Sequence, residues 1–148
     1  MQQMCELSQG VWIVYLICLS VIDIRTRKIP IWLLGAGGIT AIVMQIWKSL
    51  KGTSISPILI VAGVAVGIAF LGISKITREA FGYGDGIVIL ILGICLGLWD
   101  LLIILMVSFL GASLIAILLL VWSKGAKKQS MPFIPFLCIG YVAVILMG

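Results

Sequence analysis

Two aspartates stand where an apolar chain should avoid them. Asp23 closes the run Leu16-Ile17-Cys18-Leu19-Ser20-Val21-Ile22, and Asp85 opens another inside Gly82-Tyr83-Gly84-Asp85-Gly86. The chain has only five acids in 148 residues, and an ionisable group at a hydrocarbon boundary is costly enough to point to a purpose. Two carboxylates at one depth on different helices can share a proton and activate a water, which is the chemistry of aspartic proteolysis. Desolvation and like-charge repulsion disfavour double ionisation of such a pair, so one carboxyl keeps a proton while the other acts as base. The pair titrates as a unit.

The glycines around Asp85 fit that chemistry. Gly82, Gly84 and Gly86 allow a sharp bend and let a substrate strand lie close to the backbone with no Cβ in the way. Alone, Gly-Tyr-Gly also reads as a flexible turn with Asp85 as a helix N-cap. Alone, Asp23 also reads as a span-end acid paired with Arg25, Arg27 or Lys28. Their joint placement favours the catalytic reading over both.

Other chemistries are excluded by what is missing. The sequence has no histidine, so Ser-His and Cys-His catalysis and the commonest metal ligand are absent. Cys5, Cys18, Cys95 and Cys138 are scattered with no C-x-x-C spacing, and read as small buried hydrophobes. Neither a metal site nor a cofactor is expected.

These acids need elements to hold them, and composition names the solvent. The chain is 63% hydrophobic and 10% charged, with mean hydropathy +1.33, more apolar surface than a soluble fold of this length can bury. The first apolar run lacks a basic segment before it and carries Glu6 there, so it does not read as a cleavable signal peptide. The pI near 9.2 comes from basic residues that flank apolar runs, a sign of membrane orientation rather than of nucleic-acid binding.

Breakers and charges divide the chain into six expected transmembrane helices in one all-α membrane domain, residues 1–148. The first runs from about Leu7 to Ile24 and the second from Ile31 to Trp47, with Pro30 in the first-turn position. Pro57 opens the third, which ends near Ile73. Asp85 caps the fourth. Gly86 to Trp122 as one helix would be roughly 55 Å long, against a ~30 Å hydrocarbon core. It must turn, and Gly97-Leu98-Trp99-Asp100 is the best place; Asp100 reads as a turn or cap residue. The sixth span begins around Pro132 to Pro135 and ends at Met147. Trp12, Trp32, Trp47, Trp99 and Trp122 fall near span ends and read as interfacial anchors. In Lys75-Ile76-Thr77-Arg78-Glu79 a local ion pair of Glu79 is expected.

Orientation follows from lysine and arginine. Arg25, Arg27, Lys28, Lys75, Arg78, Lys124, Lys127 and Lys128 follow spans one, three and five, whereas only Lys48 and Lys51 lie on the other side. The positive-inside rule then places the basic loops in the cytoplasm and both termini outside. Asp23 and Asp85 both come to the cytoplasmic ends of their helices, although neither was used to set the topology. The segment Ser74 to Gly84 is expected to be mobile and to order when substrate binds.

At this point the residues resemble a known family. Val21-Ile22-Asp23-Ile24-Arg25-Thr26-Arg27-Lys28-Ile29-Pro30 resembles the first aspartate motif of the type IV prepilin peptidases. Gly82-Tyr83-Gly84-Asp85 looks like their Gly-x-Gly-Asp signature, and Met131-Pro132-Phe133-Ile134-Pro135-Phe136 resembles the opening of their last helix. The resemblance implies an endopeptidase in a bacterial or archaeal cytoplasmic membrane that removes the short basic leader from pilin-like precursors. The cut falls after a glycine and before a hydrophobic helix, and Asp23 and Asp85 are the catalytic pair. The expected partners are that precursor and the lipid bilayer, with no nucleic acid.

Two departures stand out. Ile87 occupies a place where relatives often have lysine, so any charge-balancing role is absent or passes to Lys75 or Arg78. Larger members carry an N-terminal segment with paired cysteines associated with methyl transfer; only ten residues precede Val11 here, and methyl transfer is not expected. Intramembrane proteases of the presenilin or signal-peptide-peptidase kind share Gly-x-Gly-Asp, but have Tyr-Asp at the first acid and a later Pro-Ala-Leu. This chain has Ile22-Asp23 and no Pro-Ala-Leu. A small transporter or proton-conducting protein could use Asp23 and Asp85 as an ion site, but both acids lie near one face rather than at the midplane.

Overall fold

Prolines and glycines set the helix ends. The computed structural model describes residues 2–26, 28–52, 55–76, 82–122 and 132–147, with side chains from Glu6 onward. They form α1 (Gln2–Thr26), α2 (Ile31–Leu50), α3 (Pro57–Ile76), α4 (Tyr83–Leu96), α5 (Leu98–Trp122) and α6 (Ile134–Met147). Among the described residues there is no strand. Pro57 is the first residue of α3, directly after Ser56, whose carbonyl accepts the N–H groups of Leu59 and Ile60. Proline suits that place because its missing N–H would have had no helical partner. Pro30 sits one residue earlier than expected, as the N-cap of α2 with φ −66° and ψ 129°.

The expected turn between the fourth and fifth helices is present and is one residue long. Gly97 has φ 79° and ψ −173°, a region open essentially to glycine alone. Its N–H still closes α4 on the Gly93 carbonyl at 3.1 Å. Asp100 falls in the first turn of α5, where an acid suits the positive end of the helix dipole.

Among the described residues, four helices are long and apolar enough to cross a membrane: α1 from Glu6, α2, α3 and α5. The other two, α4 and α6, have 14 residues each, about 21 Å at 1.5 Å per residue. Lys28–Leu102 forms one compact unit, and Met1–Arg27 with Ile103–Gly148 forms a second.

In the unit of residues 28–102, α4 packs on α3 and α2. A Cβ built on Gly63 would stand 2.7 Å from the Gly93 carbonyl oxygen, and one on Gly93 2.6 Å from that of Gly63. A Cβ on Gly67 would meet Leu90 Cα at 2.5 Å, and one on Gly86 would meet Leu71 Cδ2 at 2.8 Å. Rising numbers on α3 meet falling numbers on α4, so the two helices run antiparallel with backbones nearly touching. Close approach through small residues is how helices gain dispersion contacts where lipid removes the hydrophobic drive. On α2 the buried residues Leu34, Gly37 and Ala41 share one face.

In the other unit, α1 packs on α6. Among the described side chains of α1, Trp12, Leu16, Leu19 and Asp23 are buried, and their spacing of 4, 3 and 4 makes one stripe. Trp12 is therefore not an interfacial anchor. It is 5% exposed, and its ring meets Tyr15 edge-on at 5.5 Å. Trp32, Trp47, Trp99 and Trp122 are exposed near helix ends. Cys95 is buried and Cys138 half-buried, but Cys18 is exposed because it falls off the α1 stripe. On α6 the buried residues are Ile134, Leu137, Gly140 and Tyr141.

The segment Ser74 to Gly84, expected to be mobile, begins and ends inside helices. Ser74 is buried near the end of α3, and Tyr83 and Gly84 are helical. Residues 77–81, including Glu79 and its expected ion pair, lie outside the described residues.

Candidate catalytic carboxylates

Asp23 sits in the last turn of α1, the negative end of its own helix dipole and an unfavourable place for an acid. It is nevertheless 8% exposed, and a buried carboxylate is costly unless hydrogen-bonded. The compensation comes from a different helix. The backbone N–H of Ile134, the first residue of α6, donates to the Asp23 carboxylate, so the acid occupies the positive end of a neighbour. Its Oδ2 is buried with no hydrogen-bond partner among the described residues.

The start of α6 explains why that donor is available. A helix N-terminus leaves its first N–H groups without helical acceptors. Here Pro135 has no N–H, and the N–H groups of Phe136 and Leu137 return to the Phe133 carbonyl at 3.0 and 3.2 Å. Ile134 remains, and Asp23 takes it.

Asp85 belongs to the other unit. It is not the N-cap of α4. Gly82 takes that place with φ −58° and ψ 130°, and the Asp85 N–H donates to the Gly82 carbonyl at 3.0 Å. The acid lies in the first turn, still at the favourable end of the dipole. Its half-buried side chain folds back over Gly82, where a Cβ would meet Oδ2 at 3.2 Å. Gly84 faces Ile29, whose Cδ1 would be 2.5 Å from an added Cβ. Gly86 is buried against Leu71, so it serves the α3–α4 packing. Gly82, Gly84 and Gly86 therefore gather around Asp85 within about one turn. No group of three Cys, Asp or Glu side chains that could hold a metal occurs among the described residues.

The Ile134 donor and the Ile29–Gly84 contact were not read from the sequence. Both are tertiary; the only linear signals were the paired prolines around Ile134 and the Ile-Pro that begins α2.

Residues 10–121, well over half of the chain and spanning both aspartates, match the type IV leader peptidase family. The chain belongs to that family. No curated protein and no solved structure matches it. Family membership makes the protein a leader-peptidase-like protease, and its long apolar helices make it a multi-pass membrane protein. The residues 131–136 that resemble the opening of the family's last helix lie beyond the matched stretch.

Proposed function

We propose that this family member is an aspartic endopeptidase, in one integral-membrane domain of residues 1–148, with Asp23 and Asp85 as its catalytic pair. The observation that carries the reading is Asp23 itself. A leader-peptidase-family chain with no histidine keeps a nearly buried carboxylate whose Oδ2 has no hydrogen-bond partner among the described residues, the costly kind of placement that membrane chains keep at functional sites.

The reaction needs neither metal nor covalent intermediate. The ionised carboxylate draws a proton from water, and the hydroxide oxygen bonds to the scissile carbonyl carbon. The protonated carboxyl gives its proton to the departing nitrogen as the C–N bond breaks. A new carboxyl and a new amine result, and the next proton exchange resets the pair.

The substrate is a prepilin-like precursor with a short basic leader followed by a hydrophobic helix. Six crossings with both termini outside put the catalytic ends in the cytoplasm, and the eight-to-two asymmetry of basic residues supports that orientation. On this topology α4 and α6 cross with their ends sheltered by neighbouring protein, since backbone at membrane depth must be covered. Co-expression with such a precursor tests the substrate class. A shortened product with its new N-terminus at the start of the hydrophobic helix is expected. An uncut precursor beside well-expressed protein would contradict it.

A further inference from the structure

We infer that the backbone N–H of Ile134 is the positioning group for Asp23, with the first turn of α6 as its fixed mount. The inference rests on the reading of Asp23 as catalytic and assigns a role to residues outside the aspartate motifs. Pro132 and Pro135 have no N–H to offer, and Phe136 and Leu137 are engaged with Phe133. The N–H of Ile134 is thus directed to the acid without a competitor from that turn.

The mount is held on several sides. Phe133 is buried and Ile134 fully so, and the Phe133 ring lies 5.2 Å from that of Phe109. The Ser108 hydroxyl, itself buried, lies 2.6 Å from the Ile104 carbonyl and 3.0 Å from the Phe136 carbonyl. A proton shared between these oxygens ties α5 to the first turn of α6. Farther along, a Cβ on Gly140 would stand 2.7 Å from the Ile104 carbonyl oxygen, so only glycine lets α6 lie this close to α5. A donor fixed in this way orients the carboxylate and leaves Oδ2, buried and without a hydrogen-bond partner among the described residues, as the one that exchanges the proton. Reacting groups need such fixing because an ångström of misplacement can cost about a hundredfold in rate.

The test removes the donor and keeps the side chain. Incorporating the α-hydroxy analogue of isoleucine at position 134 replaces the amide by an ester and deletes only the N–H. Ile134→Pro deletes it genetically at a helix position that accepts proline, and Ile134→Ala measures the loss of the side chain with the N–H kept. On a synthetic precursor peptide, the ester enzyme should lose about tenfold or more in kcat with KM nearly unchanged. Ile134→Pro should lose more kcat than Ile134→Ala. An ester enzyme with wild-type kcat, or a loss confined to KM, overturns the inference. An active Asp23→Asn enzyme would remove the catalytic reading itself, whereas an inactive Asp23→Asn beside a fully active ester enzyme defeats the inference alone.

Discussion

Ile29 lies against Gly84: a Cβ on Gly84 would stand 2.5 Å from the Ile29 Cδ1 and 3.2 Å from its Cγ1. The residue that leads into α2 through Pro30 thus covers the residue that precedes Asp85 in the first turn of α4. Ile29 of the first motif and Gly84 of the second meet in one contact.

Gly84→Val should therefore impair cleavage without unfolding the helices. The valine methyls need the room that Ile29 fills. Helical content by circular dichroism should be retained while kcat/KM falls about tenfold or more, roughly 1.4 kcal/mol of transition-state stabilisation. Adding Ile29→Ala tests the cause: recovery assigns the loss to the Ile29 clash, and no recovery contradicts it. A fully active Gly84→Val enzyme would show that the contact does not matter.

The α3–α4 crossing predicts a contrast between glycines. Gly93→Ala places a Cβ 2.6 Å from the Gly63 carbonyl oxygen, where backbone meets backbone and nothing flexible can yield. Thermal unfolding in detergent should show a destabilisation of roughly 1–3 kcal/mol or more. Gly35→Ala meets nothing within 4 Å and should be neutral or stabilising by up to about 1 kcal/mol. Equal effects at the two positions would contradict the close crossing.

Topology is testable with an impermeant thiol reagent in a cysteine-free background. Thr53→Cys should be labelled in intact cells, and Gln129→Cys only after permeabilisation, because the basic loops follow the odd-numbered helices. The reverse pattern would put the proposed site on the wrong side for a cytoplasmic leader.

Local chemistry made much of this chain readable. Pro57 and Gly97 mark helix ends through a missing N–H and a backbone region that other residues avoid. The sequence misled where a residue has two good local roles. Asp85 is a strong N-cap type, yet Gly82 takes the cap and Asp85 gains the same dipole three residues later in the first turn. Trp12 looked interfacial, although the stripe shared with Leu16, Leu19 and Asp23 was already present in the spacing. What could not be read was long-range. Gly63 and Gly93 are ordinary glycines until two helices cross there, and a backbone N–H such as that of Ile134 leaves no mark on residue identity.

The most direct measurement is cleavage of a synthetic leader-plus-helix peptide by purified wild-type, Asp23→Asn and Asp85→Asn proteins in lipid nanodiscs. An amide keeps the shape of the carboxyl but can neither act as the base nor hold the exchangeable proton. Both variants should retain the helical spectrum and thermal stability of a folded protein. Both should lose cleavage by about a thousandfold or more, as expected when an essential acid–base group is removed. Wild-type turnover by either amide variant would contradict the two-carboxylate account.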